Sequence, residues 1–197
     1  MRSNREIEIK LRVAGGREAR ALLRTAGFSM CRRRVLEDNF LLDTPDLEVR
    51  KRGSALRVRA AGENATITYK GPGAAGGRHK SREELEIEIS DARTALAILE
   101  NLGFRRAFRY QKFRTEYSQP GARGVVMLDE TPIGVYLELE GTPAWIDRTA
   151  RLLSFTEEAY ITQSYGALYR SWCRRNHIKP SNMVFTELGT SGSPGHA

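Results

Sequence analysis

Charged residues alternate with apolar ones near the start of the chain, in the run Glu6-Ile7-Glu8-Ile9-Lys10-Leu11-Arg12. Successive side chains on a strand point to opposite faces, so Glu6, Glu8, Lys10 and Arg12 share one face and Ile7, Ile9 and Leu11 the other. Carboxylates beside cations are what is needed to hold a divalent metal and a phosphate together. Hard cations such as Mg2+ and Mn2+ take oxygen ligands, typically one or two carboxylates with water and substrate phosphate. Lysine and arginine serve the phosphate oxygens directly.

The same two-faced design recurs five times. Arg57 and Arg59 oppose Leu56 and Val58; Thr66, Thr68 and Lys70 oppose Ile67 and Tyr69; Arg82, Glu84, Glu86 and Glu88 oppose Leu85, Ile87 and Ile89. Lys112, Arg114 and Glu116 oppose Phe113 and Tyr117, and Glu138 and Glu140 oppose Leu137 and Leu139. An ordinary antiparallel sheet with one wet face has such alternation, its cross-strand charge pairs contributing less than about 1 kcal/mol each. Here, however, bases dominate some strands and acids others. Closing the sheet with its polar face inward brings both sets onto one lumen, and a barrel of about eight strands is wide enough for side chains or one small ligand. The expected fold is therefore α+β, mainly β: a closed barrel with covering helices. The carboxylates best placed for metal are Glu6, Glu8, Glu138 and Glu140, with Asp129, Glu84 and Glu86 as further candidates. For Glu84 and Glu86 the register is open, since a one-residue slip reverses the face. Lys10, Arg57, Arg59, Lys70, Lys112 and Arg114 are the cations for phosphate. Such a site works by positioning and charge stabilisation and needs no protein nucleophile, so no separate catalytic residue is assigned.

The elements between these strands read as helices. Gly16 to Ala26 stops at Gly27; Asp91 caps a helix through Leu102, stopped by Gly103; Thr142-Pro143 opens a third to about Leu153; a fourth runs from about Glu157 to Arg175. One domain over residues 1–177 is expected, followed by a disordered tail at 178–197 that includes Ser191-Gly192-Ser193-Pro194-Gly195. The 197 residues, 40% hydrophobic, suffice for one packed core. Cys31 and Cys173 are too few for a disulfide scaffold or zinc site, and no apolar segment approaches the roughly 20 residues of a membrane span. A cytoplasmic protein with no membrane partner is expected. The formal charge of +8 favours an anionic partner without naming it. His79, Arg32-Arg33-Arg34 and His177 read as surface residues and Tyr165 as core. The loop from Gly71 to Gly77 lacks the ending of a P-loop.

The Glu6-x-Glu8-x-Lys10 run resembles the ExExK signature of the CYTH superfamily, the triphosphate tunnel metalloenzymes. The resemblance continues through Asp38-Asn39-Phe40-Leu41-Leu42-Asp43-Thr44-Pro45, Leu56-Arg57-Val58-Arg59, Tyr69-Lys70-Gly71-Pro72-Gly73, Lys112-Phe113-Arg114-Thr115-Glu116-Tyr117, Leu128-Asp129, Glu138-Leu139-Glu140 and Ser164-Tyr165. It implies an eight-stranded antiparallel barrel around a tunnel, Mg2+ or Mn2+ on Glu6, Glu8, Glu138 and Glu140, and phosphate on Lys10, Arg57, Arg59, Lys70 and Arg114. Asp129 matches a family acid at a variable spacing. The implied substrate is a small molecule bearing a triphosphate: tripolyphosphate, ATP or thiamine triphosphate. Two chemistries are then open, hydrolysis and the class IV adenylate cyclase reaction that yields cyclic AMP and pyrophosphate. Class IV cyclases often carry His-Phe shortly before ExExK, and Arg2-Ser3-Asn4-Arg5 stands in its place, which favours hydrolysis. A third reading is a barrel that binds polyphosphate or RNA without turnover. Acids within the site argue against it, as does the placement of Tyr69, Phe113 and Tyr117 on apolar faces, and nucleic acid is not the expected partner. Oligomeric state is not legible.

Overall fold

The computed structural model describes residues 5–73 and 77–185. Eight strands form a closed barrel in the order β1-β5-β4-β3-β2-β6-β7-β8. They are β1 (Arg5–Val13), β2 (Ser29–Asp43), β3 (Ala55–Ala61), β4 (Asn64–Lys70), β5 (Lys80–Ile89), β6 (Arg105–Ser118), β7 (Val125–Thr131) and β8 (Gly134–Glu140). Each neighbouring pair is antiparallel, and β1 closes the ring by pairing with both β5 and β8. The expected mainly-β barrel is the fold observed.

The alternation decides which way the wall faces. The apolar side chains of β1, β7 and β8 turn outward, where Ile9, Leu11, Val126, Leu128, Leu137 and Leu139 pack against α1 (Gly16–Thr25) and α4 (Pro143–Leu152) through Leu23, Trp145, Ile146 and Ala150. Each such side chain removed from water contributes roughly 1.5–3 kcal/mol, so the core lies outside the barrel and leaves the lumen to polar groups. The single turn α2 (Glu48–Lys51) follows β2, and a smaller cluster joins Leu42 and Val58 to Leu96 of α3 (Ala92–Asn101). Local chemistry fixes the helix ends: Asp91 accepts from Thr94 N at 2.7 Å, Thr142 Oγ1 accepts from Trp145 N at 3.3 Å, and Pro143 follows it. Gly27 and Gly103 adopt φ of 79° and 94° just past their helices, a conformation that only glycine reaches easily. Ile67 of β4 and Ile89 of β5 pack against the cluster of Leu42, Val58 and Leu96, whereas Leu85 and Ile87 nearer the start of β5 are exposed.

Two expectations are corrected. The helix read from Glu157 to Arg175 begins only at Tyr165: α5 spans Tyr165–Arg175, and Ser164 caps it through Ala167 N. The preceding residues form a 3-10 turn, Glu157–Ala159, and then an extended segment in which Ile161 exchanges two backbone hydrogen bonds with Lys10, at 2.8 and 2.9 Å. The reason lies in β1. Its pairing with β5 stops at Glu8, which leaves the backbone of Lys10 open on that edge, and Ile161 satisfies it. The residues from Ile178 to Phe185, expected to be disordered, are placed in the structure. Met183 and Val184 are buried, and Met183 exchanges backbone hydrogen bonds with Arg109 and Gln111 of β6 beneath α5. The rest of that segment lies outside the described residues.

Candidate functional site

The lumen is a cavity of about 850 Å3, within the range of small-molecule sites. Lys10, Arg57, Arg59, Lys70, Lys112 and Arg114, all six cations read from the sequence, line it. So do Glu6, Glu8, Glu84, Glu86, Glu138 and Glu140, which settles the register of β5: both of its candidate acids point inward. The pairing explains the convergence. Glu8 faces Glu140 and Lys10 faces Glu138 across β1 and β8, while Lys70 faces Glu84 and Thr68 faces Glu86 across β4 and β5. Arg12, on the same face as Lys10, does not line the cavity. It stands opposite Tyr136, whose ring packs edge-on against Tyr165 at 5.7 Å and fills the inner face at that height.

The cations and acids are interleaved by ion pairs. Lys10 Nζ lies 3.1 Å from Glu8 and 2.9 Å from Glu138. Arg114 reaches Glu138 at 2.9 Å and forks onto Asp129 with two 2.7 Å bonds. Lys70 bonds Glu6 at 2.7 Å and Glu84 at 2.9 Å, and Arg57 bonds Glu86 at 3.3 Å and Thr68 at 3.0 Å. Asp129 is fully buried behind this layer and does not line the cavity; besides Arg114 it accepts from Lys112 at 2.9 Å and from the Tyr165 hydroxyl at 2.6 Å. In the structure it organises two cations and a tyrosine. Tyr165, read as core, is that and more: its ring lies 5.2 Å from both Lys10 Nζ and Lys112 Nζ.

Three lining or supporting residues, Glu37, Lys80 and Tyr110, escaped the sequence, and Arg82, read onto the polar face of its strand, was not assigned to the site. Glu37 is buried between Arg59 at 3.2 Å and Lys112 at 3.4 Å. Lys80 contacts Glu8, Arg82 lines the lumen, and Tyr110 stands on the inner face of β6. The signal for Lys80 was present, one further step back along the 82-84-86 alternation. For Glu37 it was hidden, because β2 has three register shifts and its alternation is broken. Among the described residues the buried Nε atoms of Arg57 and Arg82 have no hydrogen-bond partner, which leaves donors for an anion.

The carboxylates divide into two kinds. Burial and the Glu138 charge oppose ionisation of Glu8, but Lys10 and Lys80 outweigh them and hold it low; Glu138 is held well below the usual range against burial by Lys10 and Arg114. Burial and the nearby charge of Glu8 instead push Glu6 up to about 7, and burial with Glu138 and Glu8 pushes Glu140 up to about 7. Among the described residues Glu140 takes no ion pair or side-chain hydrogen bond, and no three acidic, His or Cys side chains form a ready-made cation cage. The donor set nevertheless fits a hard cation: it is all oxygen, and its repulsion is what a divalent ion relieves.

A pH dependence follows. For Glu6 and Glu140 the folded state binds more protons than the unfolded between about 4.5 and about 7, so stability falls as pH rises through that window. For Glu8, Glu37 and Glu138, held low, the stability is present above the ordinary carboxylate value and is lost as pH falls below it. Melting of metal-free protein should therefore shift upward between pH 8 and 5 and downward in stronger acid, with Mg2+ flattening the upper limb. A midpoint that climbs steadily from pH 5 to 8 contradicts this assignment of charges.

The model of the CYTH domain matches residues 4–163. The chain belongs to the CYTH family. A relative from Methanocaldococcus jannaschii, provisionally named an adenylate cyclase, is 29% identical over 148 residues, covering 75% of this chain and 83% of its own. Among solved structures, a provisionally named adenylate cyclase from Vibrio parahaemolyticus superposes with a TM-score of 0.71 at 19% identity, over 83% of this chain and 96% of that one. A Hippeastrum protein, provisionally named an adenylyl cyclase and described as having a dominant triphosphatase activity, superposes with a TM-score of 0.64 at 19% identity, over 84% and 95%. At these identities the structural likeness concerns the fold, and it is the barrel described above. No helix among the described residues of this CYTH protein is long and apolar enough to cross a membrane.

Proposed function

We propose that this CYTH protein is a divalent-metal-dependent enzyme acting on triphosphates and that hydrolysis is its main reaction. The observation that carries the reading is the interleaved lumen, in which cations alternate with carboxylates and Glu140 has no ion pair or side-chain hydrogen bond among the described residues. A site that only stored polyanions has no use for buried acids, which repel phosphate unless metal ions lie between. Bound Mg2+ or Mn2+, held by Glu6, Glu8, Glu138 and Glu140, supplies neutralisation of the phosphate oxygens. Arg57, Arg59, Lys70 and Lys112 then spread positive charge along the phosphate chain, Lys10 and Arg114 carry it onto the Glu138 wall, and the closed barrel limits bulk water.

Hydrolysis is favoured over cyclisation by the sequence before Glu6, where Arg2-Ser3-Asn4-Arg5 replaces the His-Phe pair. The Hippeastrum likeness supports the same side. Tripolyphosphate, ATP and thiamine triphosphate are the candidate substrates. One end of the lumen is less polar than the rest, since the inner face of β2 runs Glu37, Asn39, Leu41 and that of β6 runs Arg114, Lys112, Tyr110, Phe108. This leaves room for an organic group beyond the phosphates. Incubation with ATP and Mn2+ and separation of the products distinguishes the reactions: ADP with orthophosphate is expected, whereas cyclic AMP with pyrophosphate would make the protein a cyclase.

A further inference from the structure

The wall of the tunnel has one weakly held stretch. β4 pairs with β5 only from Lys70–Glu84 onward, with a last backbone bond from Gly71 to Glu83. Among the described residues, Lys80, Ser81 and Arg82 are thus joined to the barrel by backbone pairing on one edge, to β1. Lys80 nonetheless points into the lumen against Glu8. A side chain used to bind a small anion must be held to within a fraction of an ångström, so something besides the ladder has to fix the start of β5.

That something is on the outside. His79, the residue before Lys80, projects away from the lumen, and its Nε2 lies 2.7 Å from Asp147 Oδ1 on α4. Both side chains are nearly buried, at 10% and 11% exposure. Arg78 donates to the other oxygen of Asp147 at 2.7 Å and to Glu157 at 2.6 Å. Tyr160 donates to Asp147 Oδ1 at 3.2 Å, and burial with the Asp147 charge pushes its hydroxyl up to about 12, so it remains a donor. Tyr160 is next to Ile161, the residue that takes over from β5 as the backbone partner of β1 at Lys10. Asp147 therefore gathers both segments that flank β1 between Glu8 and Lys10.

We propose that Asp147 is a positioning residue that, by holding His79 and Arg78, sets Lys80 in the tunnel as a phosphate-binding cation. The inference rests on the triphosphate reading of the lumen. It is tested by a double-mutant cycle on the affinity for tripolyphosphate, measured by calorimetry with Mg2+ present. Asp147→Asn and Lys80→Met are each expected to weaken binding about tenfold, and the double variant to bind no more weakly than Lys80→Met, because the proposed route from Asp147 to the phosphate runs through Lys80. Losses that multiply to about a hundredfold overturn the inference, since a merely structural role for Asp147 is independent of Lys80. If Asp147→Asn does not fold, His79→Ala replaces it in the cycle with the same expected result, and His79→Gln, which keeps a donor for Asp147, should restore binding; a Gln variant as weak as Ala overturns the inference. Wild-type protein that binds no tripolyphosphate overturns instead the functional reading beneath it.

Discussion

Replacing Glu140 with Gln is expected to lower metal-dependent turnover by at least about 100-fold while leaving the metal-free protein as stable as the wild type or more so. The two effects have one cause. Burial and repulsion from Glu138 and Glu8 raise Glu140 to about 7, so above neutral pH its ionised form costs the fold stability. Glutamine removes that charge without changing the shape. It also removes an oxygen anion that a divalent ion requires. Turnover assays and thermal melts at pH 8 check both halves. Glu138 makes a poorer probe, because Glu138→Gln also breaks its pairs with Lys10 and Arg114 and so confounds loss of a metal ligand with loss of structure. A Glu140→Gln variant that keeps wild-type turnover would remove this residue from the metal set.

Asp129→Ala is expected to have the largest effect on stability, a loss of roughly 3–5 kcal/mol in urea unfolding. Asp129 is fully buried and accepts from Lys112, twice from Arg114 and from Tyr165. Removing it leaves two buried cations short of their counter-charge and a tyrosine hydroxyl without its acceptor, which is the costly way to break an ion pair. A protein of this size has only about 5–15 kcal/mol in total, so the variant should be marginal at 37 °C. A shift below about 1 kcal/mol would mean that Glu37 and Glu138 can hold Lys112 and Arg114 unaided.

The barrel and most of its lining were legible because a strand has a side-chain period of two, and where the backbone is regular that period alone assigns each residue to a face. β1, β3, β4, β5 and β8 are regular, and every charge read as inward on them lines the lumen except Arg12 and Glu88. Periodicity failed where the backbone is not regular or where a demand comes from elsewhere in space. The shifts in β2 hid Glu37. Tyr160, Ile161 and Tyr165 have helical spacing, yet the open edge of β1 at Lys10 draws Ile161 into an extended pairing that no local pattern announces. Met183 and Val184 sit in a polar stretch, and only the β6 edge beneath α5 explains their burial. Asp129 lies on none of the alternating segments read from the sequence. Its task in the structure, holding Lys112 and Arg114 from behind, is a matter of depth that alternation does not encode.

On the proposed function the interleaved lumen is a metal-dependent site for triphosphates. Its most direct test is orthophosphate release from tripolyphosphate, ATP and thiamine triphosphate by the purified protein, with Mg2+ or Mn2+ and then with the metal removed by chelation. Release from at least one of the three that stops on chelation and returns with added metal is the predicted result. No turnover of any of them with either metal, or turnover indifferent to chelation, contradicts the claim.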